Sequence, residues 1–342
     1  MMLSFVNDYS ECAYEAILKK FLEINLEKNA GYGYDKYSAS AEKKIQKAIE
    51  CPDAKVFFLA GGTQTNQLAI DSLTDSYGGV IAADTGHINV HESGAVEFTG
   101  HKVLPLPNYD GKIKAEDVSS YMKTFYGDET YEHMVIPQMV YITHPTEVGT
   151  LYSLQELKEI YEVCREYKLS LYLDGARLGY GLGVPDSDVT LPDIAKYTDA
   201  FYIGGTKVGA LFGEALVFTK DNTPSHFTTR IKQHGDLLAK GFLVGMQFDV
   251  LFTDDLYVKG ARRAIELSDF LREELRKKNY EFYSSSPTNQ IFIIMENEKL
   301  AELEEKVGLS IWGAADENRT IVRFVISWAT TKEEVEALID LM

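Results

Sequence analysis

Basic residues are scarce in this 342-residue chain: 34 Lys and Arg stand against 52 Asp and Glu, a net charge of −18. A surface of that sign repels phosphate backbones, which argues against nucleic acid as a partner. Any anionic ligand must then be held by a local cluster of donors. Cysteine is scarcer still. Cys12, Cys51 and Cys164 are odd in number and far apart, so neither a disulfide framework nor a zinc-type cysteine pair is indicated. No uninterrupted apolar run approaches the ~20 residues that span a bilayer, and no basic stretch followed by an apolar one opens the chain. These absences predict a cytoplasmic protein with no membrane segment. Nucleotide motifs are missing too. No G-x-G-x-x-G stands at a strand-to-helix turn, and "GGTK" (204–207) lacks P-loop spacing and is followed by Val208 rather than Ser or Thr.

What is present is ordinary globular material, 45% hydrophobic and 25% charged. Buried-strand patterns occur at 55–60, 80–84, 139–143, 169–174, 200–205 and 214–218. Helical patterns lie between several of them, including "SLQELKEIYEVCREYK", where Ser153 and Glu156 form a capping box. Apolar runs alternating with amphipathic helices predict an α/β fold with a mostly parallel, doubly wound sheet. Near the C-terminus the pattern becomes helix, strand, strand, helix. The expected division is a large α/β domain over 15–254 and a small α+β domain made of 1–14 and 255–342.

Within "AFYIGGTKVGALFGEALVF", Lys207 sits among small and apolar residues. A buried ammonium must be paired, neutral or covalently committed. Asp174 follows the preceding strand, with Arg177 in the next turn, and ligands of open α/β sheets gather at the carboxyl ends of strands. A lysine and an aspartate there suit pyridoxal phosphate: an amine for a Schiff base and a carboxylate for the pyridine nitrogen. Gly61, Gly62 and Thr63 open a helix, where free N–H groups and the dipole favour an anion. His87 and His91, at i and i+4 with Glu92 adjacent, admit three readings: zinc, a structural role, or stacking of His87 on a flat cofactor ring. The motif is not H-E-x-x-H and no third ligand is evident, so no metal is expected.

Six stretches in order resemble the low-specificity threonine aldolase family, within the beta-eliminating lyase group of fold-type I pyridoxal phosphate enzymes. They are "FVNDYSE", "GYGYDKYSASAEKKIQ", "GGTQTNQLAI", "GHINVHESGA", "YLDGARL" with "TK" at 206–207, and "IVRFVISW". The resemblance runs nearly end to end. It implies that Lys207 carries the cofactor, Asp174 pairs with its ring nitrogen, and Gly62 and Thr63 hold its phosphate. Arg177 and Arg323 would grip the substrate carboxylate, His87 would cover the ring, and His133 would lie near the substrate hydroxyl. Asn7 stands where the family has a serine near the carboxylate, and Thr206 replaces the serine before the lysine. Lys240 stands where the family has an arginine near the phosphate, often contributed across a dimer interface.

The function so implied is retro-aldol cleavage of threonine or allo-threonine to glycine and acetaldehyde, with His87, His133 or a water as base. The expected assembly is a homodimer or homotetramer with its sites at the dimer interface. The same scaffold also supports β-elimination, racemisation or transamination, and a non-catalytic relative is the reading from a different class.

Overall fold

The computed structural model describes residues 3–342; Met1 and Met2, assigned with the small domain from sequence, lie outside the described residues. A seven-stranded sheet is built from Lys55–Leu59, Glu214–Phe218, Ala200–Gly204, Ser170–Asp174, Ile136–Thr143, Gly78–Ala83 and Lys102–Leu106, in that spatial order. All run parallel except Glu214–Phe218, which is antiparallel to both neighbours. The inner strands are apolar on both faces because helices cover both. Ile17, Ile45 and Phe248 belong to the core on one side, and Leu68, Ile70 and Phe227 to that on the other. The capping box at Ser153 is formed and starts the helix Leu154–Tyr167.

The edge strand Lys102–Leu106 has no counterpart in the sequence reading. Its five residues, KVLPL, carry a lysine and a proline, a pattern typical of strands with one free side.

A second sheet, antiparallel, is ordered Ser310–Ala314, Arg319–Val325, Gln290–Glu296 and Glu281–Phe282. The long helix Leu256–Lys277 and the C-terminal helix Lys332–Leu341 accompany it. The N-terminal segment joins this part of the chain. Leu3–Ser4 pairs in parallel with Val307–Gly308, and the Phe5 ring meets Phe324 edge-on at 6.4 Å. This course carries residues 7–9 back over the carboxyl ends of the large sheet's strands. Among the described residues, no helix is long and apolar enough to cross a membrane.

Candidate active site

The ends of Lys55–Leu59, Ile136–Thr143, Ser170–Asp174 and Ala200–Gly204 open on one cavity of about 360 Å³. Of the residues singled out from sequence, Gly62, Thr63, His87, Asp174, Arg177 and Lys207 line it. Residues 175–177 and 204–207 come together because Gly204 has no side chain; a Cβ there would lie 2.3 Å from the Ala176 carbonyl oxygen.

Lys207 is held by the turn beneath it. Glu214 lies opposite Gly204 in register and accepts hydrogen bonds from the Gly205 N–H (2.8 Å) and the Thr206 hydroxyl (2.8 Å). The Thr206 hydroxyl in turn accepts the Gly213 N–H at 3.0 Å. Burial pushes the Lys207 ammonium below the ordinary lysine range, and Arg177 adds to this, while Asp8, Asp174 and Glu214 pull the other way. Burial also pushes Glu214 up to about 7. A carboxyl whose folded pKa lies above its unfolded value loses stabilising effect as pH rises from about 4.3 through about 7. Glu214→Gln should therefore gain stability relative to the parent between pH 5 and 8, as read from denaturation midpoints across that range. A difference independent of pH would contradict this.

Asp174 is buried with both oxygens occupied. Oδ2 accepts from Asn66 Nδ2 (2.9 Å) and the Tyr141 hydroxyl (2.7 Å), and Oδ1 accepts from the Ala176 N–H (2.9 Å). Asn66 stands one turn into the helix Gly62–Leu73 and also donates to Glu92 Oε1 at 2.8 Å. Glu92 Oε1 in turn meets His87 Nδ1 at 2.8 Å, which fixes the imidazole on the cavity wall. His91 is exposed, with its ring 6.3 Å from Trp312. Among the described residues, no three His, Cys, Asp or Glu side chains form a metal-binding group. The helix Gly62–Leu73 starts with no side-chain cap, so its first N–H groups face the cavity unassisted. A Cβ on Gly62 would approach the Tyr202 hydroxyl to 3.2 Å, so glycine keeps this corner open.

Arg177 is committed to a partner the sequence did not reveal. Its Nε and Nη2 donate to the two oxygens of Asp8 at 2.7 and 2.9 Å. Burial raises Asp8, but the Arg177 charge and its hydrogen bond outweigh that and hold the carboxyl below its usual range. Arg323 lies off the cavity wall. Its guanidinium donates to Gln290 Oε1 (3.1 Å) and Ser310 Oγ (3.2 Å) and stacks 5.3 Å over Trp312. Its Nε is buried without a partner, and among the described residues no carboxylate pairs with it. Burial, with Arg177 nearby, pushes its pKa down to about 10.

Besides Arg323, three expected site residues stand off the cavity lining. His133 is exposed in the short turn Tyr131–His133, before the strand Ile136–Thr143. That eight-residue strand ends at the cavity, so at about 3.3 Å per residue His133 is ~26 Å away. It is not a site residue of this chain's cavity. His144, at the cavity end of the same strand, is buried outside the lining and accepts the Tyr152 N–H (3.3 Å); burial lowers its pKa to about 4. Asn7 does not line the cavity; its Oδ1 caps a turn by accepting from Tyr9 N and Ser10 Oγ, and Tyr9 reaches the lining instead. Lys240 is exposed and outside the lining. The sequence reading passed over Asp8, Tyr9, Asn66, Glu147 and Glu214, and noted Glu92 only as a neighbour of the histidines. Only their place in the fold distinguishes them from the chain's many other polar residues.

The beta-eliminating lyase family model matches residues 9–298. The chain is 31% identical to a low specificity L-threonine aldolase from a Pseudomonas species, over 90% of this chain and 87% of that one. It is 29% identical to one from Pseudomonas aeruginosa, over 92% and 90%. A solved Leishmania major threonine aldolase superposes with a TM-score of 0.95 at 41% identity, covering 99% of this chain and 98% of that one. A Clostridium acetobutylicum histidinol-phosphate aminotransferase shares the fold at 16% identity, with a TM-score of 0.73. The architecture is that of fold-type I.

Proposed function

The chain belongs to the beta-eliminating lyase family, and we propose that it is a pyridoxal phosphate-dependent lyase cleaving threonine, allo-threonine and related β-hydroxy amino acids to glycine and an aldehyde. The carrying observation is Lys207, an amine of lowered pKa with no hydrogen-bond partner among the described residues, sharing a cavity with Asp174 and an uncapped helix start. These features fit the cofactor. Lys207 would hold it covalently, Asp174 would face its ring nitrogen, Gly62 and Thr63 would hold its phosphate, and His87 would cover the ring. When bound, pyridoxal phosphate supplies an electron sink for the pair released at Cα.

The chain's own groups do the rest. Asn66 and Tyr141 hold Asp174 in one orientation, while Glu92 does the same for His87. Arg177 is already neutralised by Asp8, whereas Arg323 is a half-buried cation with only neutral acceptors. Arg323 is therefore the guanidinium with most to gain from a substrate carboxylate, with Arg177 beside it. Arg323→Ala should lower kcat/KM by about 10- to 150-fold, a charge-assisted contact of roughly 1.5–3 kcal/mol. Bound cofactor should keep its absorbance. Full activity in a folded variant would assign the carboxylate to Arg177.

The proposed assembly is a homodimer or homotetramer with sites at the subunit boundary, in the cytoplasm. Exposed Leu22, Leu26 and Tyr34 support this. The Tyr32 N–H donates to Ala239 (3.3 Å), joining that surface to the loop carrying Lys240, which would serve a partner's phosphate site. The proposed division is 15–254 against 1–14 and 255–342, and the separate parallel and antiparallel sheets support it. Product analysis tests the reaction. L-allo-threonine or L-threonine should give equal amounts of glycine and acetaldehyde; ammonia and a keto acid, with no glycine, would mean elimination instead.

A further inference from the structure

Four carboxylates line the cavity, Glu92, Glu147, Asp174 and Glu214. Their hydrogen bonds separate them. Both oxygens of Asp174 and both of Glu214 accept from protein donors. Glu92 has one oxygen bonded and the other sealed from solvent without a partner. In Glu147, Oε1 accepts from the His87 N–H and the Thr143 hydroxyl, each at 2.8 Å. Its Oε2 accepts no hydrogen bond from any other described residue and is not among the sealed atoms, though the residue is only 8% exposed. Among the described residues, Glu147 therefore offers the one cavity carboxylate oxygen that is not sealed and that no other residue's donor occupies. It is anchored through the same residue, His87, whose imidazole lines the cavity.

We propose that Glu147 is the catalytic residue that takes the proton of the substrate's β-hydroxyl, an assignment that rests on the aldolase reading. The O–H bond breaks and its proton passes to Oε2. The O–H electron pair forms the carbonyl as the Cα–Cβ bond breaks, and the Cα–Cβ pair moves to Cα. The balance closes when Cα takes up a proton and Glu147 releases its own to water. β-Elimination needs the opposite, a proton given to the hydroxyl as it leaves with the C–O pair. An ionised carboxylate at the hydroxyl thus selects cleavage over elimination.

Burial pushes Glu147 above the usual carboxylate range, hydrogen bonds from the Thr143 hydroxyl, its own backbone N–H and the His87 N–H pull it back, and Asp174 pushes it up again. Tyr141 and Tyr152, the other titratable groups that feel its charge, stay neutral because burial raises both. The site thus has a carboxylate base whose strength is shifted towards neutrality, which is what general-base transfer favours.

The test uses the cofactor-loaded protein and Glu147→Gln, which keeps the shape and an acceptor for the His87 N–H. Cleavage of L-allo-threonine should fall about 100- to 10,000-fold in kcat. Cofactor absorbance, spectrally titrated binding of L-allo-threonine and exchange of glycine's Cα proton in D2O should stay within about threefold. In the parent alone, an acid limb should appear in the pH profile of cleavage and be absent from that of glycine exchange. Parent-like cleavage in the variant, or an acid limb common to both parent reactions, would overturn the assignment. A parent that exchanges glycine's proton but cleaves no β-hydroxy amino acid would overturn the aldolase reading itself.

Discussion

Lys207→Ala should lower the rate of threonine cleavage by at least about 10,000-fold, because it removes both the covalent attachment point and a proton-transfer group in one change. The loss should be chemical rather than structural. The Lys207 side chain faces a cavity, makes no hydrogen bond among the described residues, and has its ammonium disfavoured by burial. A lysine whose folded pKa lies below its unfolded value destabilises the fold at neutral pH, and the penalty fades only as pH rises towards ~10.4. The cofactor-free variant should therefore unfold at a denaturant midpoint no lower than the parent's at pH 7. Residual cleavage above a hundredth of the parent rate would remove Lys207 from the centre of the account.

The largest stability effect is expected at Asp8, far from Lys207 in sequence. Asp8→Ala leaves the buried Arg177 guanidinium without its bidentate partner and strips an acceptor from Asn289 Nδ2 (3.0 Å). Removing one member of a buried pair costs about 3–5 kcal/mol, mostly because the other charge remains uncompensated. The pH dependence has a definite sign. Since the folded pKa of Asp8 is depressed, its contribution is complete above about 3.9 and disappears as pH falls through the lower folded value. Urea unfolding at pH 7 should show the full deficit, and the gap from the parent should narrow below about pH 4. A variant within about 1 kcal/mol of the parent at pH 7 would mean that Arg177 finds another anion.

Arg177 and Lys207 mark where the sequence is legible. Arg177 follows Asp174 in a short turn after an apolar strand, so a strand-end site was readable from local pattern. Lys207 stood out for the same reason, an ionisable group where the run around it should be dry. The Asp8–Arg177 pair spans 169 positions and arises only when the N-terminal segment pairs with Val307–Gly308. Nothing local marks Asp8 among 52 acidic residues. Glu147 and Glu214 are hidden in the same way, because their burial and bonding come from other elements. His133 failed on direction. The apolar run at 139–143 belongs to the strand Ile136–Thr143, but His133 precedes that strand and stands at the end away from the cavity. The strand Ser310–Ala314 was missed because Gly313 and a register shift interrupt any alternation. Apolar runs reveal buried strands well, but short strands with one free side follow no comparable rule.

The most direct measurement is borohydride reduction of the purified protein in the presence of pyridoxal phosphate, followed by peptide mass spectrometry. The cofactor's visible band should be lost and one phosphopyridoxyl group per chain should appear on Lys207, with labelling suppressed in Lys207→Ala. No label, or a label distributed over surface lysines with Lys207 unmodified, would contradict it.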